Sequence, residues 1–281
     1  MLVAVTGASG EVGQEVVKHL LENGYEVRAV THREWDDSPA EQVYPLNIED
    51  YAAVEEALGG CDKVIHLAGI KSPVGVPDVD VIRTNVVGTY NVLLASGRME
   101  ISHIAVASSD CTFGYTFTKN KPPLHYLPVD EEHPTHPDDS YGLSKVIMER
   151  IAEAMVQRFN YSVASLRISW VIDPERYQTK KFETLTQDPE TGYFNFWSYI
   201  DLRDTARAFR LAIETDLSDH ELFQIAASDT RSRIPSADLI EDYFPEVETK
   251  IEFTGHESLE DTTRAGEVLG FTPRYSWRDT I

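Results

Sequence analysis

The stretch Leu2-Val3-Ala4-Val5-Thr6-Gly7-Ala8-Ser9-Gly10-Glu11-Val12-Gly13 decides the fold. Leu2–Val5 is a short apolar run of the kind that forms a strand buried on both faces. Val12, Val16, Val17, Leu20 and Leu21 then recur at helical spacing until Gly24 ends the helix. Between strand and helix, the glycines allow a sharp turn and close approach to a pyrophosphate, and the helix N-terminus offers free N–H groups and the positive end of its dipole. Gly7, Ser9, Gly10, Glu11, Val12 and Gly13 are therefore candidate cofactor contacts. The competing reading is a glycine-rich tight turn without a ligand.

The same alternation continues outward. Strands are expected at Glu26–Val30, Lys63–Leu67, His103–Ala107, Ser162–Ile168 and Leu222–Ala226, and helices at Ala52–Leu58, Asp80–Ser96, Ser140–Phe159 and from Tyr199-Ile200-Asp201 to about Glu214. Apolar strands alternating with helices imply a doubly wound α/β fold, a parallel sheet covered on both faces. The pattern breaks after Arg167. Residues 173–196 are irregular and polar, and 229–281 hold short elements only. We expect a cofactor-binding domain over 1–170, to which 197–227 return, and a small C-terminal substrate-binding region within 171–281, mainly 171–196 and 228–281.

Composition excludes several classes. The 281 residues carry 47 acidic side chains against 25 Lys+Arg, a formal net charge of −22. Such a chain repels nucleic acid and anionic lipid at long range. No stretch approaches the roughly 18 apolar residues of a membrane span, and Met1–Gly7 has neither a basic segment nor a signal-peptide core. Cys61 and Cys111 make no disulfide framework and no zinc set, so no metal site is expected. A soluble cytoplasmic protein is the reading. The acids are spread along the chain, and arginine outnumbers lysine, which points to adaptation to concentrated salt rather than to an acidic tail.

The second strand ends in Thr31-His32-Arg33 with no carboxylate at the position that would bind a cofactor ribose. Arg33 suits a 2′-phosphate, so NADP is expected in preference to NAD; an ordinary surface cation is the alternative. Tyr141 and Lys145 stand four apart at the start of a helix and share a face. A tyrosine base at neutral pH needs its ordinary pKa near ~10 lowered by about 3 units. An ammonium about 5 Å away supplies about 3 kcal/mol of that at an effective dielectric of 20. Ser108-Ser109 ends a strand, where open parallel sheets meet their ligands, so the Ser109 hydroxyl is placed to hold a substrate oxygen. Asn85 is counted with this catalytic set, against the alternative of an amide satisfying a helix kink.

With these residues in order, the chain resembles an extended short-chain dehydrogenase/reductase, the superfamily of nucleotide-sugar epimerases, dehydratases and sugar dehydrogenases. The likeness covers about residues 2–210 and rests on TGASGEVG at 6–13, HLAGIK at 66–71, NVVGT at 85–89, ASS at 107–109 and YGLSK at 141–145. It implies a Rossmann-type fold with Tyr141 as general base or acid, Lys145 binding the nicotinamide ribose and depressing the tyrosine pKa, and Ser109 orienting the reacting oxygen. It also implies cofactor contacts at Thr31, His32, Asn47, Ile48, Leu67, Ala68, Gly69, Lys71, Ala107 and Ile168. Substrate contacts are expected at Lys71, Ser72, Ser109, Asp110, Cys111, Trp170 and Arg176. Helices 80–96 and 140–159 pair into a dimer interface in relatives, so a homodimer or higher homo-oligomer is expected.

Within the superfamily, the segment after Leu166-Arg167 lacks the asparagine usual in enzymes of nucleotide sugars, and the C-terminal part is short. The pattern Ala107–Tyr115 looks most like uronate and aldose dehydrogenases, but Asp110-Cys111 replaces the Asn-His of the uronate enzymes. A carboxylate there repels a uronate and favours a neutral aldose oxidised at the anomeric carbon to a lactone. Arg176, Lys180 and Lys181 are candidates for a sugar phosphate, with a solvated loop as the favoured reading of that trio. An epimerase or dehydratase and a non-enzymatic cofactor sensor are the other functional readings.

Overall fold

In the computed structural model, which describes residues 1–280, the first strand is β1 (Leu2–Thr6), with both faces covered. Glycine-rich residues carry it into α1 (Glu11–Glu22), whose Val16, Val17 and Leu20 are fully buried. β2 (Glu26–Thr31) returns parallel to β1, pairing Val3 with Val27 and Val5 with Ala29. β3 (Gln42–Pro45) adds the outer edge. That strand is absent from the sequence reading. Its residues are polar or only half-buried, and Pro45 is tolerated because an edge strand needs fewer ladder donors.

After α2 (Tyr51–Leu58) the chain crosses to the other side of β1 and lays down β4 (Lys63–His66). The segment expected as one long helix is three pieces in continuous right-handed conformation: α3 (Asp78–Ile82), a π-turn over Arg83–Val87 and α4 (Gly88–Arg98). Apolar periodicity does not register that single widened turn. β5 (His103–Ser109), a short strand β6 (Tyr126–Leu127), α5 (Ser140–Arg158) and β7 (Ser162–Ile168) follow. Then come β8 (Val171–Ile172), α6 (Lys180–Gln187), β9 (Ile200–Asp201), α7 (Leu202–Glu214) and β10 (His220–Ile225).

The result is a seven-stranded parallel sheet in the order β10-β7-β5-β4-β1-β2-β3. One apolar layer joins α1 and α7 to the sheet through Val16, Leu20, Phe209 and Ile213, and the other joins α2, α4 and α5 through Leu58, Leu93 and Met148. The chain winds outward from β1 in one direction and from β4 in the other. The C-terminal ends of those two strands thus flank the switch point where such sheets bind ligands.

A separate cluster sits beyond this edge and is built on Phe196, Trp197, Leu239, Phe244, Phe253 and Leu259. It also takes in Phe113, Tyr115, Leu127 and Val129, from a stretch the sequence reading placed wholly in the first domain. α8 (Ser236–Tyr243) and β11 (Glu248–Thr249), which pairs with β6, belong to this part. The last stretch goes back to the main sheet: in and after α9 (Thr263–Leu269), Ala265, Leu269 and Phe271 join the first apolar layer. Fully buried Asp204 of α7 accepts from the backbone N–H groups of Arg274, at 2.7 Å, and Tyr275, at 3.1 Å.

Candidate functional site

A cavity of about 1210 Å³ opens along the C-terminal ends of β1, β2, β4, β5 and β7. It exceeds the roughly 300–1,000 Å³ of a single small-molecule pocket and so has room for two ligands. Gly7, Ser9, Gly10, Glu11, Val12 and Gly13 form one wall, and Thr31, His32 and Arg33 the end of β2. Asn47, Ile48, Leu67, Ala68, Gly69, Lys71 and Ser72 line it further along, as do Ala107, Ser109, Asp110, Cys111, Tyr141, Lys145, Ile168, Trp170 and Arg176. Asn85, of the expected catalytic set, lies behind the wall.

The first turn is shaped for an anion. Gly7 has φ +70°, and a Cβ there would come within 2.7 Å of the Ala68 backbone nitrogen. Only glycine therefore lets β1 and the β4 loop approach this closely. α1 begins at Gly10 with no side-chain cap, so its first-turn N–H groups remain for a ligand. These features fit a dinucleotide pyrophosphate. Below the turn, the Thr6 hydroxyl accepts from the backbone N–H groups of Leu67 and Ala68 and lies 2.7 Å from His66 Nδ1. His66 Nε2 faces Thr89 Oγ1, which donates onward to the Asn85 carbonyl. Burial, with a smaller contribution from Lys145, pushes His66 down to about 3, so it is a neutral strut and not an acid.

α5 presents the reacting side chains. Asp139 caps it by accepting from the N–H groups of Tyr141, at 2.8 Å, and Gly142, at 2.9 Å. Tyr141, Lys145 and Glu149 follow at successive spacings of four and share a face. Lys145 Nζ donates to the Ala107 carbonyl at 2.7 Å and stands 5.5 Å from the centre of the Tyr141 ring. Burial lowers Lys145 to about 8, partly offset by Cys111 and Glu149. Burial also raises Tyr141 well above the ordinary phenol range; Cys111 adds to this and a hydrogen bond with Ser109 eases it. In the protein by itself, then, desolvation outweighs the ammonium effect expected from the sequence, and charge brought in by ligands has to supply the rest.

Ser109 Oγ accepts from Cys111 N at 3.1 Å and donates to Asp110 Oδ1 at 2.9 Å. Burial raises Asp110 to about 6, against its hydrogen bonds from Ser109 and Cys111. Glu149 is a functional residue the sequence reading missed. It accepts from Ser108 Oγ at 2.6 Å and takes both Nε and Nη2 of buried Arg167 at 2.9 Å. This locks α5 to the ends of β5 and β7, and so fixes Tyr141 relative to Ser109.

One expectation is corrected. Asn85 does not reach the cavity. Its Oδ1 accepts from Ile70 N at 2.7 Å, and its Nδ2 donates to Ile70 O at 3.0 Å and Ser144 Oγ at 2.9 Å. The π-turn thus aims it at the wall, where it is a positioning residue. Arg176 lines the cavity but is ion-paired with Glu11, so it ties the loop after β8 to the phosphate turn. Lys180 and Lys181 do not line the cavity; they open α6 and are exposed to solvent, in line with the solvated reading favoured for that trio. The cavity residues Phe117, Leu185, Thr191, Phe194, Asn195 and Arg231 were not anticipated. Apart from Leu185, in the last turns of α6, they come from irregular segments whose composition carries no periodic signal.

Known proteins agree with this architecture. The family model described as NAD dependent epimerase/dehydratase family matches residues 3–226. The L-arabinose 1-dehydrogenase (NAD(P)(+)) of Haloferax volcanii is 29% identical over 236 residues, 82% of this chain and 89% of its own. The NAD-dependent glucose-6-phosphate dehydrogenase of the same organism is 28% identical, covering 82% and 86%. A uronate dehydrogenase of Agrobacterium fabrum is 31% identical over 62% of this chain and 63% of its own. Among solved structures, a short-chain dehydrogenase/reductase superfamily protein from Agrobacterium tumefaciens with bound NAD superposes with a TM-score of 0.76 at 21% identity, covering 99% and 94% of the two chains. Parallel sheet, glycine turn and family match converge: the chain belongs to the NAD-dependent epimerase/dehydratase family, of the extended short-chain dehydrogenase/reductase type.

Proposed function

We propose that this protein oxidises a sugar at its anomeric carbon to the lactone, using NADP in preference to NAD. The observation that carries the reading is the meeting of Tyr141, Lys145 and Ser109 in the same cavity as the uncapped α1 turn. Gly7, Gly10, Gly13 and the N-terminus of α1 would hold the pyrophosphate, and Lys145 the ribose next to the nicotinamide. Bound there, the cofactor supplies a hydride acceptor. Tyr141 Oη takes the proton from the anomeric hydroxyl, and Ser109 Oγ holds the oxygen as its carbonyl forms. Lys145 remains cationic beside the phenolate while Glu149 keeps both on register with β5.

NADP is favoured because Arg33 lines the cavity at the end of β2, where no carboxylate faces the ribose. Sugar oxidation is favoured by the similar arabinose, glucose-6-phosphate and uronate dehydrogenases. Exposed Val79, Val87, Tyr90 and Leu143 on α3, the π-turn, α4 and α5 support association of those helices in a homodimer. No helix among the described residues is long and apolar enough to cross a membrane.

The test is release of reduced cofactor with a panel of sugars at molar salt. An epimerase returns the hydride to its substrate and releases none. Tyr141→Phe should lower kcat by about 10²- to 10⁴-fold while cofactor binding persists. Turnover near that of the unaltered protein would refute Tyr141 as the base.

A further inference from the structure

The far wall of the cavity is built by Leu185 of α6, by Thr191, Phe194 and Asn195 from the irregular segment after it, and by Arg231, which follows β10. Arg231 is only 1% exposed. In a chain with 47 acidic side chains, no carboxylate lies within 4 Å of this guanidinium among the described residues. Its bonds go to neutral acceptors instead: Nη1 to the Leu185 carbonyl at 2.8 Å and to Thr191 Oγ1 at 3.3 Å, and Nη2 to the Thr191 carbonyl. Nε is buried with no partner. Trp170 lies under the guanidinium, 5.4 Å from ring centre to Cζ.

A buried guanidinium without a counter-ion is costly, because carbonyl dipoles offset only part of its lost hydration. Burial accordingly lowers Arg231 to about 10, and Asp188, the acid that acts on it, opposes this without pairing. A second unpaired atom shares this wall. Asn195 is 5% exposed, and its Nδ2 donates to the Ser198 carbonyl at 3.0 Å, which leaves Oδ1 buried with no donor. Both residues line the cavity, so one wall holds an unused charged donor and an unused acceptor, each covered by the protein around it.

We infer that the substrate carries an oxyanion, a carboxylate or a phosphate, which Arg231 receives through Nε while Asn195 Oδ1 accepts from a neighbouring sugar hydroxyl. The inference rests on the proposed sugar oxidation and names its substrate class: an acidic sugar rather than the neutral aldose that Asp110 suggested from the sequence. The two observations concern different walls. Asp110 stands beside Ser109 at the reacting end, with Oδ1 already engaged by that serine. Arg231 belongs to the wall contributed by the loop after α6. A planar guanidinium with a free Nε edge suits the two oxygens of a carboxylate or phosphate better than any arrangement of hydroxyls.

The experiment compares glucose, glucuronate and glucose 6-phosphate as reductants of the cofactor, with the unaltered protein, Arg231→Gln and Arg231→Lys. One of the two anionic sugars should exceed glucose in kcat/KM by at least about tenfold, and which one it is tells carboxylate from phosphate. In Arg231→Gln the ratio of anionic to neutral kcat/KM should fall by about 10- to 100-fold, mostly through KM, with Arg231→Lys between the two. Equal use of glucose by the unaltered protein, or a ratio unchanged in both variants, would overturn the inference. If neither these three nor any other sugar of the panel reduces cofactor, sugar oxidation itself falls. Calorimetric binding of glucuronate and glucose 6-phosphate to the cofactor-loaded protein then decides Arg231: saturable binding that both variants weaken supports it, and no binding of either anion overturns it. Thermal midpoints of both variants identify any loss that reflects unfolding.

Discussion

Replacing Glu149 with Gln tests the lock between α5 and the sheet. The side chains of Arg167 and Glu149 are 3% and 8% exposed. The substitution removes a bidentate ion pair and weakens the acceptor of the Ser108 hydroxyl. What remains for Arg167 is the Glu131 carbonyl at 3.2 Å and the face of Phe113, 5.4 Å away. Stranding a buried charge in this way costs about 3–5 kcal/mol. In a protein of this size, at about 2 °C per kcal/mol, the thermal midpoint should fall by roughly 6–10 °C. Calorimetry or circular dichroism at fixed high salt reads this directly. The double variant Glu149→Met/Arg167→Met removes both charges, so it should be more stable than the single variant. Activity adds a second readout. Glu149 is among the groups that raise Lys145, so without it the lysine titrates lower and the alkaline limb of kcat moves to lower pH. A loss below about 1 kcal/mol in Glu149→Gln, or a double variant no more stable than Glu149→Gln, would refute the reasoning.

The remaining predictions concern pH, cofactor and salt. Fully buried Glu260 accepts from Ser169 and Gln224, and burial, with the Asp110 charge, raises it to about 8. Its folded pKa lies above its unfolded value, so its contribution to stability is complete below about pH 4.5 and is lost as pH rises through about 8. Titrating the thermal midpoint from pH 6 to 9 should show a fall that Glu260→Gln reduces; parallel curves would exclude the assignment. Arg33→Ala should lower the NADP-to-NAD ratio of kcat/KM by about tenfold or more, as loss of a charged phosphate contact requires. A tenfold NAD preference in the unaltered protein would sink the NADP reading. With a net charge of −22, activity and thermal midpoint should climb as salt is raised into the molar range, because screening relieves self-repulsion and admits an anionic cofactor. Full activity in dilute buffer would contradict this.

The central strands were legible in the sequence because each is apolar and buried on both faces, as the continuous burial of Ser162–Ile168 shows. β3 was not, because an edge strand with Gln42 and Pro45 carries neither alternation nor an apolar run. The phosphate turn and the Tyr141/Lys145 pair were legible since each is contiguous, with spacing set by one turn or one helix. Glu149 continues that spacing, but its partner Arg167 lies on another strand and only the fold brings them together. Arg231, Asn195 and Glu260 sit in irregular segments, where a lone polar residue reads as surface. Their burial is decided by what packs over them. Asn85 was found as a motif residue, but its role depended on a π-turn that no periodicity reports.

The return of the last stretch to the main sheet bears on how the protein is made. Phe271 completes the apolar layer under α1 and α7, the Arg274 and Tyr275 amides satisfy buried Asp204, and Glu260 lies beneath Ser169. The glycine turn leaves the ribosome more than two hundred residues before these groups do. A nascent chain therefore carries its cofactor turn long before it has a finished substrate wall, and Asp204 waits in a half-built layer without its two amide donors. Competence to hold a nucleotide would therefore also come late in translation, once residues 271–275 have closed the layer beneath α1.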